Sequence, residues 1–440
     1  MCANLPSTPA EVLEISTRAL KFKTCLTVAL AKWFGRWRYP FKEAATTFEE
    51  MTLEDIFYWV YKCKNPILRM EEGSAFPKSD KNMVRLPDGF EKTSTVTLGA
   101  AGDLLRADGL EKSQGLLFKS VADLLFDCDV SFTNYESPIT TQPLQKEIIS
   151  DRGAPVECSS REQFETLFKG HKGKVFDVMN VSNNHMFDMG VEGIEGTLQA
   201  MKDNGICFIG ANETPEQAGH GKILEKNGIK IGFAAATFGL NGRVMPEEEA
   251  YRLNVSNLLS KFAEPDLQLL KSQIEDCKAQ GCDFIIASIH WGFEFEFFPR
   301  ARQIEANHAV IEMGADAILA HHPHVIQPVE YYRTKRDADR VAVIAHSLGT
   351  ATWGYTAPHL VLSLILNMRL AKGCLNGEEK TLIESTQVTP VFRSAIDKGD
   401  GVETRLEKLD DHLNGKSTRH TQRYINAIKR YADLVLAGST

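Results

Sequence analysis

Residues 315–324 read Ala315-Asp316-Ala317-Ile318-Leu319-Ala320-His321-His322-Pro323-His324, an apolar run ending in three histidines within four residues. A run this short and apolar predicts a buried strand. The imidazoles then stand just past its C-terminal end, where open α/β sheets place their ligands. Neutral imidazole is the commonest protein ligand for transition metals, and a His-x-His pair at a strand end can aim two rings into one cavity.

Four other predicted strands also end in candidate ligands. Val96–Ala101 runs into Gly102-Asp103, and Val130–Thr133 into Asn134-Tyr135-Glu136. Val175–Val181 leads to Ser182-Asn183-Asn184-His185, with Asp188 and Gly190 just beyond, and Phe284–Ile289 leads to His290-Trp291-Gly292-Phe293-Glu294. Each element alone has a plainer reading: a turn or helix cap for Gly-Asp, left-handed turn positions for Asn183-Asn184, a core imidazole for His290. Their joint occurrence points to a site. His185, His290, His321, His322, His324 and His346 all lie at predicted strand ends, whereas His171, His220, His308, His359, His412 and His420 have no such context. Oxygen and nitrogen donors without thiolate suit Mn, Fe, Zn or Co better than Ca or Mg, and argue against a structural zinc cage.

Further strands are predicted at Cys207–Gly210, Lys230–Ala236 and Val341–Ala345, with helices at Leu116–Phe126, Gly190–Asn204, Asp266–Gln280 and Arg300–Met313. Helix-length segments between short apolar strands predict a mostly parallel, layered α/β sheet. The first 90 residues differ. Ala10–Phe34 and Phe41–Lys62 carry apolar residues at helical spacing, Thr52–Glu54 opens a helix, and Lys64–Lys92 reads as a linker. After His359 come strand-like runs, Leu360–Leu366 and Leu382–Phe392, and then charged helices from Val402 to Leu436. The expected organisation is a helical extension and linker over 1–90, an α/β domain over 95–395 and a helical tail over 396–440.

The chain has 440 residues, 43% apolar and 25% charged, with a net charge of -8, which argues against a general nucleic-acid binder. Nine scattered cysteines without a CxxC spacing read as reduced thiols and favour a reducing compartment. No secretory pattern is evident, and the apolar stretch Cys25–Leu30 is too short to span a bilayer. A cytoplasmic protein is therefore expected. Lys21, Lys23, Lys32, Arg36 and Arg38 flank that stretch, which makes an interfacial helix conceivable beside the preferred reading of a helix packed on the main domain. No GxGxxG follows a strand, and neither GxxxxGK[ST] nor GxSxG occurs, so no nucleotide loop or serine-nucleophile elbow is visible.

The series Gly102-Asp103, Asn134-x-Glu136, Asn183-Asn184-His185 with Asp188-x-Gly190, His290-Trp291-Gly292-x-Glu294, and His322-Pro323-His324-Val325 with Gln327 resembles that of the CapA or PgsA family. These are capsule and poly-γ-glutamate synthesis proteins whose fold is similar to the calcineurin-like metallophosphoesterases. The likeness covers roughly Thr95 to Phe392. It implies a four-layered α/β sandwich holding one or two divalent transition-metal ions. By the same resemblance Asp103 and His324 hold one ion, Asn184, His290 and His322 a second, and Glu136 lies between. His185 is placed to exchange a proton with the reacting group. Asp188 and Glu294 orient imidazoles, with Asn134 behind the ligands. His321, which precedes the His-Pro-His triplet, reads equally as a supporting or structural residue and as a direct contact.

Two departures stand out. Leu105 occupies the position where metallophosphoesterases usually carry a histidine, leaving one metal a ligand short. The family's Tyr-Ser-Leu-Gly-Asn-Phe segment reads His346-Ser347-Leu348-Gly349-Thr350-Ala351 here. Three functions remain open. One is metal-assisted hydrolysis of a phosphoester or a peptide-like γ-glutamyl bond. Another is epimerisation at an amino-acid α-carbon, with His185 and His346 as the two bases. The third is a non-catalytic polymer-binding or assembly module. The expected partner is a small-molecule, peptide or polyglutamate-type substrate rather than a nucleic acid.

Overall fold

A computed structural model describes residues 5–144, 149–150, 153, 155–399, 401–417 and 419–437. The N-terminal region carries β1 (Leu13–Glu14), α1 (Arg18–Phe34) and α2 (Leu53–Lys64). The body follows with β2 (Glu91–Leu104), α3 (Ala122–Leu125), β3 (Val130–Tyr135), β4 (Ile149–Ser150), α4 (Arg161–Phe168) and β5 (Val178–Asn180). Next come α5 (Gly190–Asp203), β6 (Cys207–Ile209), β7 (Lys222–Lys226), β8 (Ile229–Thr237), α6 (Gln268–Ala279) and β9 (Phe284–His290). Then follow α7 (Ala301–Met313), β10 (Ala317–His321), β11 (Val329–Arg333), β12 (Val341–Ala345), β13 (Thr350–Thr352) and α8 (Pro358–Val361). The chain closes with β14 (Leu362–Leu375), β15 (Glu378–Asp397), β16 (Val402–Lys408) and α9 (Gln422–Leu436).

Two large sheets result, ordered β16-β15-β14-β2-β3-β5-β6, with β13 beside β2, and β11-β12-β10-β9-β8-β7, and β1 pairs separately with β4. In the first sheet β2, β3, β5 and β6 run parallel and β14, β15 and β16 are joined antiparallel; in the second β8, β9, β10 and β12 are parallel, with β7 and β11 antiparallel at the two edges. Because successive strand residues face opposite sides, each sheet feeds two cores. Ile231, Phe233, Ile286, Leu319 and Val343 meet Leu98, Phe132, Leu364 and Leu366 of the other sheet. Their neighbours Ala234, Ile285, Ile318 and Ile344 face outward onto Leu270, Ile274, Val310 and Ile311 of α6 and α7. On the opposite side Leu104, Tyr135, Met179 and Ile365 pack against Phe164, Leu167, Ile194 and Leu198 of α4 and α5. The layers are therefore helix, sheet, sheet, helix. Full burial of each such side chain contributes about 1.5–3 kcal/mol.

Each expected strand is found, longer at β2, β3, β14 and β15 and shorter at β5, whereas β7 and β11 were not expected. Two helical expectations fail. Over Leu116–Phe126 only α3 and a short 3-10 turn form, because Phe118, Phe126 and Phe176 gather with ring centroids 5.0–5.6 Å apart and hold the segment off the helical path. Val402–Lys408 is a strand, hydrogen-bonded antiparallel to β15, and among the described residues only α9 of the expected C-terminal helices is seen. Its signal was the alternation Val402-Thr404-Leu406 against Glu403-Arg405-Glu407.

The N-terminal helices form for local reasons. Thr17 caps α1 by accepting a hydrogen bond from Leu20 N–H, and Gly35 ends it in the left-handed conformation. Thr52 and Asp55 make a reciprocal capping box at the start of α2. The buried faces of α2 sit on the loop after β9. There Glu296 accepts from Tyr58 Oη at 3.0 Å and Lys62 Nζ at 3.3 Å, and is clamped by Arg300 at 3.0 and 3.1 Å. Backbone bonds between Ile67 and residues 295 and 297 secure the chain beyond α2.

Candidate metal centre

Strand register brings the donors together. Asp103, Asn134 and Asn180 lie side by side at the ends of β2, β3 and β5, and Thr237, His290 and His321 do so across β8, β9 and β10. Both rows finish at the same edge of the sandwich. One ligand atom each from Asp103, Glu136 and His324 fall within 4.8 Å of one another, as do those of Glu136, His290 and His322. Glu136 belongs to both groups. His290 Nε2 stands 3.2 Å from Glu136 Oε1 and 2.7 Å from Asn184 Oδ1. His324 Nδ1 lies 3.4 Å from Asp103 Oδ2 and 3.1 Å from Thr350 Oγ1. All six donors singled out in the sequence, Asp103, Glu136, Asn184, His290, His322 and His324, are thus neighbours and buried.

The backbone is bent to achieve this. His322 and His324 have φ of 99° and 53°, a region non-glycine residues rarely occupy, on either side of Pro323. Such outliers cost about 1–3 kcal/mol each and concentrate at functional sites. Behind Asp103, Gly102 passes so close to Gly349 that a Cβ there would stand 2.1 Å from the Gly349 carbonyl oxygen. Asp103 N–H donates to that same carbonyl at 2.9 Å. Ser347-Leu348-Gly349 is therefore a backbone clamp on the edge that carries the candidate ligands: Ser347 Oγ donates to Val325 C=O, and Leu348 lies in the intersheet core. Leu105, where a seventh ligand was sought, is buried in that core too.

The centre's electrostatics call for a cation. Asp103 and Glu136 are fully buried and, among the described residues, neither has a Lys or Arg as hydrogen-bond or ion-pair partner. Both Glu136 oxygens and both His322 ring nitrogens are buried without a hydrogen-bond partner, an expensive state for polar atoms. Burial, reinforced by the Asp103 charge, raises the Glu136 carboxyl above its usual range. Burial drives His322 well below its ordinary value and His290 down to about 3, so both rings are neutral and able to ligate. Burial opposes protonation of His324 as well, but there the Glu136 and Asp103 carboxylates prevail and raise it. Unpartnered acceptors, neutral imidazoles and two carboxylates fit a divalent ion.

Around the donors, Asn134 Nδ2 donates to Asp103 Oδ1 at 2.9 Å and lies 3.3 Å from His290 Nδ1, while its own oxygen accepts from Asn180. His185 Nδ1 meets Asp188 Oδ2 at 2.7 Å, and Arg243 pairs with the other Asp188 oxygen at 2.9 Å. Burial disfavours a charged His185, but the Asp188 carboxylate outweighs it and raises the imidazole above 6.5. Glu294 takes a different part from the one expected: it accepts from Trp59 Nε1 of α2 at 2.5 Å and holds no imidazole. His321 faces Phe132 and the Ala101 carbonyl inside the sandwich, a supporting position.

His346 is not brought to the cluster. Its ring lies between Asn307 Nδ2 at 3.1 Å and Glu330 Oε2 at 3.0 Å, against Phe76. Its strand end is real, but β12 lies outside β10 and the ring turns to the antiparallel neighbour β11. Arg243, Asn241, Trp59 and Thr350 were missed from sequence. Only the Asn241-Gly242 turn carried a signal, and Asn241 Oδ1 accepts from Asn184 Nδ2 at 3.0 Å.

A cavity of about 320 Å³ opens over His185, Asn184, His322 and Glu294. Its far wall is the N-terminal region: Leu13, Leu20, Thr24, Ile56, Trp59 and Lys62 all line it. His346 does not. A larger cavity of about 580 Å³ beside Trp291 and Arg302 contains none of the donors.

Parallel strand ends converging on a buried carboxylate–imidazole cluster define a two-sheet α/β protein with a candidate metal centre. Residues 97–353 match the family model described as bacterial capsule synthesis protein PGA_cap, and the chain belongs to that family. It is 26% identical over 274 residues to the capsule biosynthesis protein CapA of Bacillus anthracis, covering 60% of this chain and 61% of that protein. It is 28% identical over 281 residues to the PGA biosynthesis protein CapA of Bacillus subtilis, covering 64% and 68%. Among solved structures, a calcineurin-like phosphoesterase of Bacillus subtilis aligns with 79% of this chain and 99% of its own at 13% identity and a TM-score of 0.35. Among the described residues, no helix is long and apolar enough to cross a membrane.

Proposed function

We propose that this protein is a metal-dependent hydrolase acting on a phosphoester or a peptide-like, γ-glutamyl bond. The observation that carries this reading is the convergence of Asp103, Asn184, His290, His322 and His324 on the shared carboxylate Glu136. A divalent ion bound there supplies Lewis acidity, polarising the attacked centre and making water acidic near neutral pH. Asp103, Glu136 and His324 would hold one such ion, and Asn184, His290 and His322, with Glu136, a second.

The remaining chemistry belongs to the chain itself. Asp188 occupies His185 Nδ1, which leaves Nε2 to hand a proton to the departing oxygen or nitrogen. Arg243 and the Glu157 backbone N–H hold the Asp188 carboxylate in place. α2 and the segment around Leu13 cover the cavity and exclude bulk water, which strengthens every charge interaction inside it. The γ-glutamyl class is supported by the family resemblance and by relatives named for capsule and PGA biosynthesis. Epimerisation loses its second base, since the His346 ring is held by Asn307 and Glu330.

Elemental analysis of the purified chain beside His290→Ala and His322→Ala, followed by assays on phosphodiester and γ-glutamyl substrates, tests the proposal. The expected result is a transition metal in the parent protein, lost from both variants together with hydrolysis. A metal-free parent, or variants hydrolysing at the parent rate, overturns it, and the first outcome favours a non-catalytic module.

A further inference from the structure

Helix α1 is apolar on both of its sides, and among the described residues only one side is packed against the protein. At about 100° per residue, Leu20, Thr24, Thr27, Val28 and Ala31 fall on one arc, all buried or half-buried against the body. Phe22, Cys25, Leu26, Ala29, Leu30 and Trp33 fall on the opposite arc, at i, i+3, i+4, i+7, i+8 and i+11, and every one is exposed. Phe22 is 70% exposed and Trp33 85%, with Phe34 beside it at 77%. An aromatic-tipped stripe of this kind on a water-facing helix marks a docking surface.

The charges say what docks. Between Glu14 and Glu43 the chain carries Arg18, Lys21, Lys23, Lys32, Arg36, Arg38 and Lys42 and no acidic residue, although its net charge is -8. On the helix, Lys21 and Lys32 border one edge of the outer stripe and Lys23 the other. Long basic side chains flanking an apolar face can bury their stems while their ammonium groups reach an anionic plane. α1 has 17 residues, about 26 Å at 1.5 Å per residue, and its inner face is already taken, so it lies along a surface instead of crossing it.

We propose that the outer face of α1 docks on an anionic lipid surface, with Phe22, Leu26, Leu30 and Trp33 entering the acyl boundary and Lys21, Lys23 and Lys32 meeting the headgroups. Leu20 and Thr24, on the inner face, line the cavity over the metal centre. The bilayer therefore comes within about one helix diameter, roughly 10 Å, of that cavity. This inference stands apart from the hydrolytic reading.

The test is co-sedimentation of the full chain with vesicles of phosphatidylcholine alone and of phosphatidylcholine mixed with phosphatidylglycerol. The parent should partition onto the anionic vesicles at least about tenfold better, and added salt should weaken it. Phe22→Ser combined with Trp33→Ser should lower partition about tenfold or more, while circular dichroism and the melting curve stay those of the parent. Lys21→Gln with Lys32→Gln should cost roughly a fivefold factor per charge, on anionic vesicles only. A parent that remains in the supernatant, or that binds both vesicle types equally, overturns the proposal. So does a parent that is dimeric in sedimentation velocity while the double serine variant is monomeric and binds vesicles as the parent does, because the face then belongs to a second copy.

Discussion

Replacing Gly102 with alanine tests how the metal-binding edge is built. A Cβ at residue 102 stands 2.1 Å from the Gly349 carbonyl oxygen and 2.8 Å from Ser363 Oγ. An ordinary contact needs about 3.5 Å, so β2 and β13 must part by more than an ångström. That separation breaks the Asp103 N–H bond to Gly349, now 2.9 Å long. Overpacking of this kind costs about 1–3 kcal/mol, and a lost buried hydrogen bond about 1 kcal/mol. Gly102→Ala should therefore destabilise by about 2–4 kcal/mol. Asp103 and Thr350 ride on the two displaced backbones, so metal content should fall as well. Gly196→Ala is the control: it is exposed on α5 with nothing within 4 Å of the new methyl, and should stabilise by about 0.5–1 kcal/mol. Urea unfolding in the presence of chelator, alongside elemental analysis, reads both effects. Should Gly102→Ala unfold within about 0.5 kcal/mol of the parent and keep its metal, the clamp is not what positions Asp103.

Two more outcomes follow from the geometry. Asp188→Asn removes the carboxylate that holds the His185 ring and pairs with Arg243; hydrolysis should drop by about 100-fold with metal content unchanged, and loss of the metal would contradict the separation of roles. Glu330 is opposed by burial, but hydrogen bonds from His308 and His346 prevail and hold it down at about 2, against 4.5 for a free glutamate. A lowered folded-state value means its stabilisation is complete above pH 4.5 and fades as pH falls toward 2. Denaturation midpoints of parent and Glu330→Gln should accordingly differ at neutral pH and converge near pH 2, and a constant gap across that range would refute the linkage.

Much of the site was legible in the sequence because its signals are local. Short apolar runs read as buried strands, and the donors stand one to four residues beyond them, as with Asp103, Glu136, Asn184 and His290. The Thr52–Asp55 capping box is local too. Legibility failed where a neighbour distant in the chain decides. His346 has the same strand-end signature as His290, yet Glu330 and Asn307 take its ring. Glu294 was read as an imidazole partner, yet Trp59, more than two hundred residues away, claims it. The aromatic trio around Phe118 overrides an apolar, helix-like stretch in the same way.

By itself, then, the order of residues determined the parallel strands that carry the site, the kind of donor at their ends and the family. Tertiary structure alone decided which donors share a centre, and that α1 and α2 close over it with one apolar face of α1 left outside. The physical reason is range: backbone periodicity and donor chemistry act over a few residues, whereas convergence depends on the register and packing of sheets whose strands lie far apart along the chain.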